Sequence, residues 1–209
     1  IVAVADLRAR SIHDLEKLKG KRITSKYTSL SIIESFMKGA LSNGNMSYGD
    51  FVKVPVSGFA KGMFALGEGK TDISWISLGS GAGRKVNTQL RGRGGFVYLD
   101  MDTSPAATAR FKKIMPTADI VLESNTKMPG IKKPTHIVQI DYVLFTHKGT
   151  DNETVYKVTK ALANNHPDLA KSMGAFKRQA PGTFGVSKAA PYHPGAAKAL
   201  TELGLKIAR

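Results

Sequence analysis

Short runs rich in β-branched and aromatic residues alternate along this chain with longer stretches whose apolar residues recur every three or four positions. Runs of the first kind fall at 22–25, 51–54, 73–76, 96–99, 120–122 and 136–145 and are read as strands. Stretches of the second kind fall at 31–41, 58–66, 82–90, 107–114, 153–164 and 195–203 and are read as helices. On the first helix Ile33, Phe36, Met37, Ala40 and Leu41 share one face, and on the fifth Val155, Val158, Thr159 and Leu162 do. Such stripes are core. Strand and helix taking turns predict an α/β fold with mixed, mostly parallel sheets flanked by helices, because a parallel connection needs a crossover long enough to hold a helix. The polar, proline-containing stretch 123–134 suits a hinge, which divides the chain into 1–122 and 123–209.

Composition narrows this picture mainly by exclusion. The 209 residues, 42% hydrophobic and 22% charged, suffice for one domain or two small lobes. Apolar runs such as 54–56 and 140–145 are far too short to cross a bilayer, and residues 1–20 hold no secretory-type apolar segment. With no cysteine there can be no disulfide framework, thiolate metal site or cysteine nucleophile, a condition that suits an oxidising periplasm. A formal net charge of +15 raises the question of a nucleic-acid partner. The cations are scattered, however, with no long block and no aromatic-rich RNA signature, so a solvated basic surface and no nucleic-acid partner are expected.

Candidate chemistry sits where strands run into helices. The loop Ser25-Lys26-Tyr27-Thr28-Ser29-Leu30-Ser31 is rich in hydroxyls and opens the first helix. Unpaired backbone N–H groups and the positive end of the helix dipole there suit a carboxylate, and Thr28 and Ser29 add hydroxyl donors. Ser31 and Glu34 have capping-box spacing, so capping accounts for the same residues. Ser57-Gly58-Phe59 repeats the arrangement at the next strand end, with Ser57 equally readable as an N-cap.

The segment 73–84 followed by Phe96-Val97-Tyr98-Leu99-Asp100 imitates a dinucleotide-binding phosphate loop. Its glycines at 79, 81 and 83 do not have the G-x-G-x-x-G spacing, and a cofactor is not expected. The five histidines show no metal-ligand spacing, and neither a G-x-S-x-G elbow nor a G-x-x-x-x-G-K-S/T loop occurs. His193 reads as a turn residue that bonds locally. The chain is expected not to be an enzyme.

The run Ala190-Pro191-Tyr192-His193-Pro194-Gly195-Ala196, leading to Glu202-Leu203-Gly204-Leu205, closely resembles the C-terminal signature of the TAXI solute receptors of TRAP transporters. Three further segments resemble that family in order: Asp14-Leu15-Glu16-Lys17-Leu18-Lys19-Gly20-Lys21-Arg22-Ile23, then 54–57 through Glu68-Gly69-Lys70-Thr71-Asp72-Ile73, then 138–145 with 152–166. The resemblance implies a two-lobed, type II periplasmic-binding-protein-like fold and an extracytoplasmic receptor. Its ligand would be a small organic anion such as a dicarboxylate or a glutamate-like amino acid, and its partner a TRAP membrane permease. It implies ligand contact at Ser25, Tyr27, Thr28 and Ser29, at Ser57, Gly58 and Phe59, at Trp75, Ser77 and Gly79, and at Asn125 and Thr126. Lys26-Tyr27 and Met128 depart from the family pattern, which has small residues and an aromatic there.

Family members generally carry roughly a hundred more residues before the Asp-Leu-x-Gly-Lys-Arg strand. The resemblance therefore implies that 1–122 forms most of lobe two and that 123–209 returns to a lobe one lacking its opening part. Weak ligand binding by these residues alone, and self-association through the incomplete lobe, are the expectations that follow. Two other classes share some of these features: the effector-sensing domain of a transcription regulator, marked by an upstream helix-turn-helix, and a basic nucleic-acid-binding domain, marked by salt-sensitive heparin retention.

Overall fold

A computed structural model describes residues 1–172, 176, 181–187 and 190–208. The chain divides into two compact units, Ile1–Ile140 and Asp141–Arg209. The boundary expected at 122/123 falls inside a strand of the first unit.

In the first unit the strands are β1 (Val2–Val4), β2 (Arg22–Lys26), β3 (Val52–Val56), β4 (Ile73–Ser74), β5 (Phe96–Tyr98), β6 (Asp119–Glu123) and β7 (Thr135–Gln139). Between them lie α1 (Ile32–Asn43), α2 (Phe59–Gly67), α3 (Gly81–Gln89) and α4 (Pro105–Ile114). The first five strands form one sheet in the order β3-β2-β4-β1-β5. β2 pairs in parallel with β3 and β4, whereas β1 is antiparallel to both β4 and β5. Strands β2, β3, β4 and β5 therefore point the same way, and their carboxyl ends open on one edge.

Two apolar clusters cover the two faces of this sheet. Ala3 and Ile23 belong to the cluster built with α1 and α4, which includes Phe36, Met37, Leu41, Phe111 and Met115. Val2 and Val4 belong to the other, with Met63 and Leu66 of α2 and Val86 of α3. A strand buried on both faces reads as a continuous apolar run, which is why Val-Ala-Val at the start of the chain serves as a central strand. Three residues carry too little periodicity to reveal this beforehand.

Asp72, at the start of β4, fastens the sheet to β2. Its carboxylate accepts hydrogen bonds from Arg22 N (3.0 Å), Nε (2.9 Å) and Nη2 (2.9 Å). Burial opposes ionisation, but the Arg22 hydrogen bonds and charge prevail and hold the carboxyl below its ordinary range. A carboxyl depressed in the folded state stabilises above its unfolded pKa and loses that contribution as pH falls through the folded value. Asp72→Asn is expected to cost about 1–2 kcal/mol at neutral pH, discounted for the partly exposed guanidinium. In urea unfolding at stepped pH, the gap from wild type should close below about pH 4.

β6 and β7 form a separate antiparallel hairpin, with Asp119 opposite Gln139 and Glu123 opposite Thr135. Asp100, just beyond β5, holds it: Oδ1 accepts from His136 N (2.7 Å) and lies 3.0 Å from His136 Nδ1. The stretch expected to be a hinge is itself anchored, since Tyr98 N donates to Gly130 O at 3.0 Å and Ile131 is buried. β7 ends at Gln139 rather than 145, because β6 supplies ladder partners only as far as that residue.

In the second unit α5 (Asn152–Asn164) is followed by α6 (His166–Ser172) and α7 (Pro194–Glu202). α6 was not anticipated. Pro194 opens α7 and His193 caps it, Nδ1 accepting from Gly195 N at 3.2 Å. Gly195 lets α7 approach α5 closely, where any Cβ would run into the carbonyl oxygen of Asn152. Tyr156 OH donates to the Glu202 carboxylate at 2.5 Å, and Lys160 Nζ reaches both groups, which joins the same two helices on their polar side.

Candidate functional site

At the carboxyl edge of the sheet the chain leaves β2 through two successive left-handed residues, Lys26 (φ 68°) and Tyr27 (φ 46°). Such a backbone is costly for bulky residues and persists only where the surroundings hold it. The Tyr27 side chain supplies that hold. It is fully buried, its hydroxyl lies 2.5 Å from Thr24 Oγ1, Thr24 Oγ1 donates to Ser74 Oγ (3.2 Å), and Ser74 Oγ donates to Gly62 O (3.0 Å). Gly62 leaves room for the ring, since a Cβ there would come within 2.7 Å of Tyr27 Cε1. Burial pushes the phenol pKa up, so Tyr27 stays neutral.

With that turn pinned, the next residues zip onto the neighbouring strand end. Thr28 N donates to Val56 O (3.3 Å), Ser29 N to Ser57 O (2.7 Å), and Thr28 Oγ1 to Ser57 O (3.3 Å). Thr28, Ser29, Ser57 and Gly58 thus stand together, the first three exposed. The helices that begin beside them lack side-chain caps. Ser31 precedes α1 without capping it, and the residue at the cap of α2 is Gly58, not Ser57. Capping therefore does not explain these hydroxyls. By contrast, Ser80 caps α3 by accepting from Gly83 N at 3.0 Å.

The remaining expected residues lie around this group in different roles. Ser25 is buried beside Pro55 of β3, and its hydroxyl has no hydrogen-bond partner. The Trp75 side chain is in the core, its ring 5.3 Å from that of Phe36. Tyr27, also expected near ligand, likewise commits its side chain to the interior. Phe59 is half-buried against both apolar clusters. Ser77 and Gly79 are half-buried in the turn after β4, and Gly79 (φ 73°) packs against Met128. Asn125 and Thr126 are exposed, and Asn125 Oδ1 accepts from Lys127 N within its own turn. No hydrogen bond among the described residues joins the Ser77–Gly79 turn to the Thr28–Ser57 group.

Two features went unread in the sequence. Lys26 is an exposed cation at the edge, and its signal was being the one charge in a hydroxyl-rich loop. Glu34, one turn into α1, is paired with Lys38 at 3.3 Å, which offsets an acid that would otherwise repel an anion at that helix start. A shallow depression lined by Asn87, Thr88, Arg91, Gly94 and Gly95 lies at the other end of β5. Among the described residues no three His, Asp or Glu side chains are grouped to hold a metal, and no helix is long and apolar enough to cross a membrane.

Strand-end turns gathered at the open edge of a mostly parallel α/β sheet define a protein of the periplasmic-binding-protein-like class. The chain belongs to the NMT1-like family, whose model matches residues 1–204, and with it comes a solute-binding role. No curated protein matches the chain.

Proposed function

We propose that this chain acts as the extracytoplasmic solute receptor of a TRAP-type transporter of the TAXI kind, binding a small organic anion and presenting it to a membrane permease without chemical conversion. The observation that carries this reading is the pair of adjacent helix starts, α1 and α2, without side-chain caps beside Thr28, Ser29 and Ser57. Helix amino ends offer positive potential to a carboxylate, and fixed hydroxyls replace its water; at α1 the Ile33 and Glu34 N–H groups already donate to Leu30 O and Ser31 O, so the loop hydroxyls carry more of the donation there. The C-terminal Pro-x-His-Pro-Gly-Ala run supports the same assignment, with His193 and Pro194 opening α7.

A thermal-shift series with succinate, glutarate and glutamate, set against their neutral amides, tests the proposal. Ligand at ten times its Kd adds about 1.4 kcal/mol to the folded state, enough to raise the melting temperature. A rise with the acids alone is expected. An equal rise with the amides, or with chloride at matched ionic strength, would contradict an anion site.

A further inference from the structure

Residues 141–147 contain an apolar run, Tyr142-Val143-Leu144-Phe145, that is exposed to solvent. Tyr142 is 69% exposed, Leu144 73% and Phe145 84%. Among the described residues, 141–146 make no hydrogen bond through the backbone; Thr146 meets only the hydroxyl of Thr150. Among the described residues Tyr142 has one ring neighbour, Phe176, at 6.5 Å. Strand composition, a free backbone on both sides and exposed apolar side chains together make a template for another strand.

We infer that residues 141–147 pair antiparallel with the same residues of a second copy, making a homodimer joined by an intermolecular strand ladder. The polar ends of the segment fit a second copy and set its register. The segment carries Asp141 at one end and His147-Lys148 at the other. Pairing centred on Leu144 sets Asp141 against His147 of the second copy, and the twofold axis repeats the contact. Val143 then faces Phe145 across the strands, an aromatic–β-branched pair, and Leu144 meets its own copy. A parallel arrangement would stack Asp141 on Asp141 and Lys148 on Lys148. A slip of one residue would put Asp141 opposite Thr146 or opposite Lys148, and in either case equivalent side chains of the two copies would fall on opposite faces, which the twofold axis forbids. Each copy brings a net charge of +15, so long-range repulsion opposes the dimer. Association should accordingly strengthen as salt rises, the reverse of binding to a polyanion.

The chain has no cysteine, so one introduced thiol reports self-contact cleanly. Facing Cα atoms in an antiparallel ladder lie about 4.5–5.5 Å apart, within disulfide range. Leu144→Cys is expected to form a covalent dimer under mild oxidation several-fold faster than Leu122→Cys, a comparably exposed control. Sedimentation velocity should show the wild-type dimer fraction growing from about 0.01 to about 1 M salt, as the screening length falls from roughly 30 to roughly 3 Å. Leu144→Pro and Phe145→Asp should sediment as monomers with unchanged melting temperature, because both side chains are exposed. A wild-type monomer at every salt concentration, equal cross-linking at 122 and 144, or a dimer that survives Leu144→Pro would overturn the inference. So would capture of the segment by anionic vesicles in place of self-association.

Discussion

Tyr27→Ala is expected to remove about 3–5 kcal/mol of unfolding free energy, the range for deleting a fully buried aromatic ring. That is a large share of the 5–15 kcal/mol typical of a folded domain. The ring fills the space that Gly62 leaves open, and its hydroxyl closes the Thr24–Ser74 chain that ends on the Gly62 carbonyl. Truncation leaves a cavity and releases the left-handed turn that the ring supports. Tyr27→Phe keeps the ring and loses one hydrogen bond, for about 1 kcal/mol. The pair separates packing from polarity in urea unfolding: an alanine variant no weaker than the phenylalanine variant would show that the ring does not hold the turn. The same pair reports on the site, since Thr28 and Ser29 follow directly. The response to organic acids should survive in Tyr27→Phe and vanish in Tyr27→Ala.

Gly195→Ala is expected to cost about 3 kcal/mol, the upper end for overpacking, because the obstacle is backbone and cannot swing aside. A Cβ would collide with the Asn152 carbonyl and come within 3.0 Å of Tyr156 N, forcing α7 off α5. Gly204→Ala is the control: its Cβ meets nothing within 4 Å, so only the left-handed φ of 69° penalises it, by about 1–2 kcal/mol. Thermal melts followed at 222 nm should place Gly195→Ala well below Gly204→Ala. Equal melting would mean that the two helices are not in close contact at that point.

The alternation of strands and helices was legible because most elements bury one stripe or one continuous run, and periodicity records that directly. It failed where burial came from context. Val2–Val4 is too short for a period to show, and its burial on both faces comes from the cluster built with α1 and α4 on one side and with α2 and α3 on the other. Residues 140–145 have strand composition, yet a strand exists only with a partner, and β6 ends its pairing at Gln139. At the site, the hydroxyl-rich loops were found, since strand-to-helix turns announce themselves by residue type. What residue type could not convey was direction. A tyrosine in a left-handed backbone turns inward, so Tyr27 supports the loop from below, and Trp75 likewise packs on Phe36. Ser31 and Ser57 had cap spacing, but Ser31 holds the cap position of α1 in a helical backbone with no cap hydrogen bond, and α2 begins one residue later than capping by Ser57 requires.

The most direct test of an anion site at the carboxyl edge is an amide chemical-shift titration of the chain with succinate and its neutral diamide. Saturable shifts that gather on Thr28, Ser29, Ser57 and Gly58 with the acid, and not with the diamide, are predicted. Shifts that instead centre on Asn87, Arg91 and Gly94, or that leave the Thr28–Ser57 group untouched at saturation elsewhere, would contradict it.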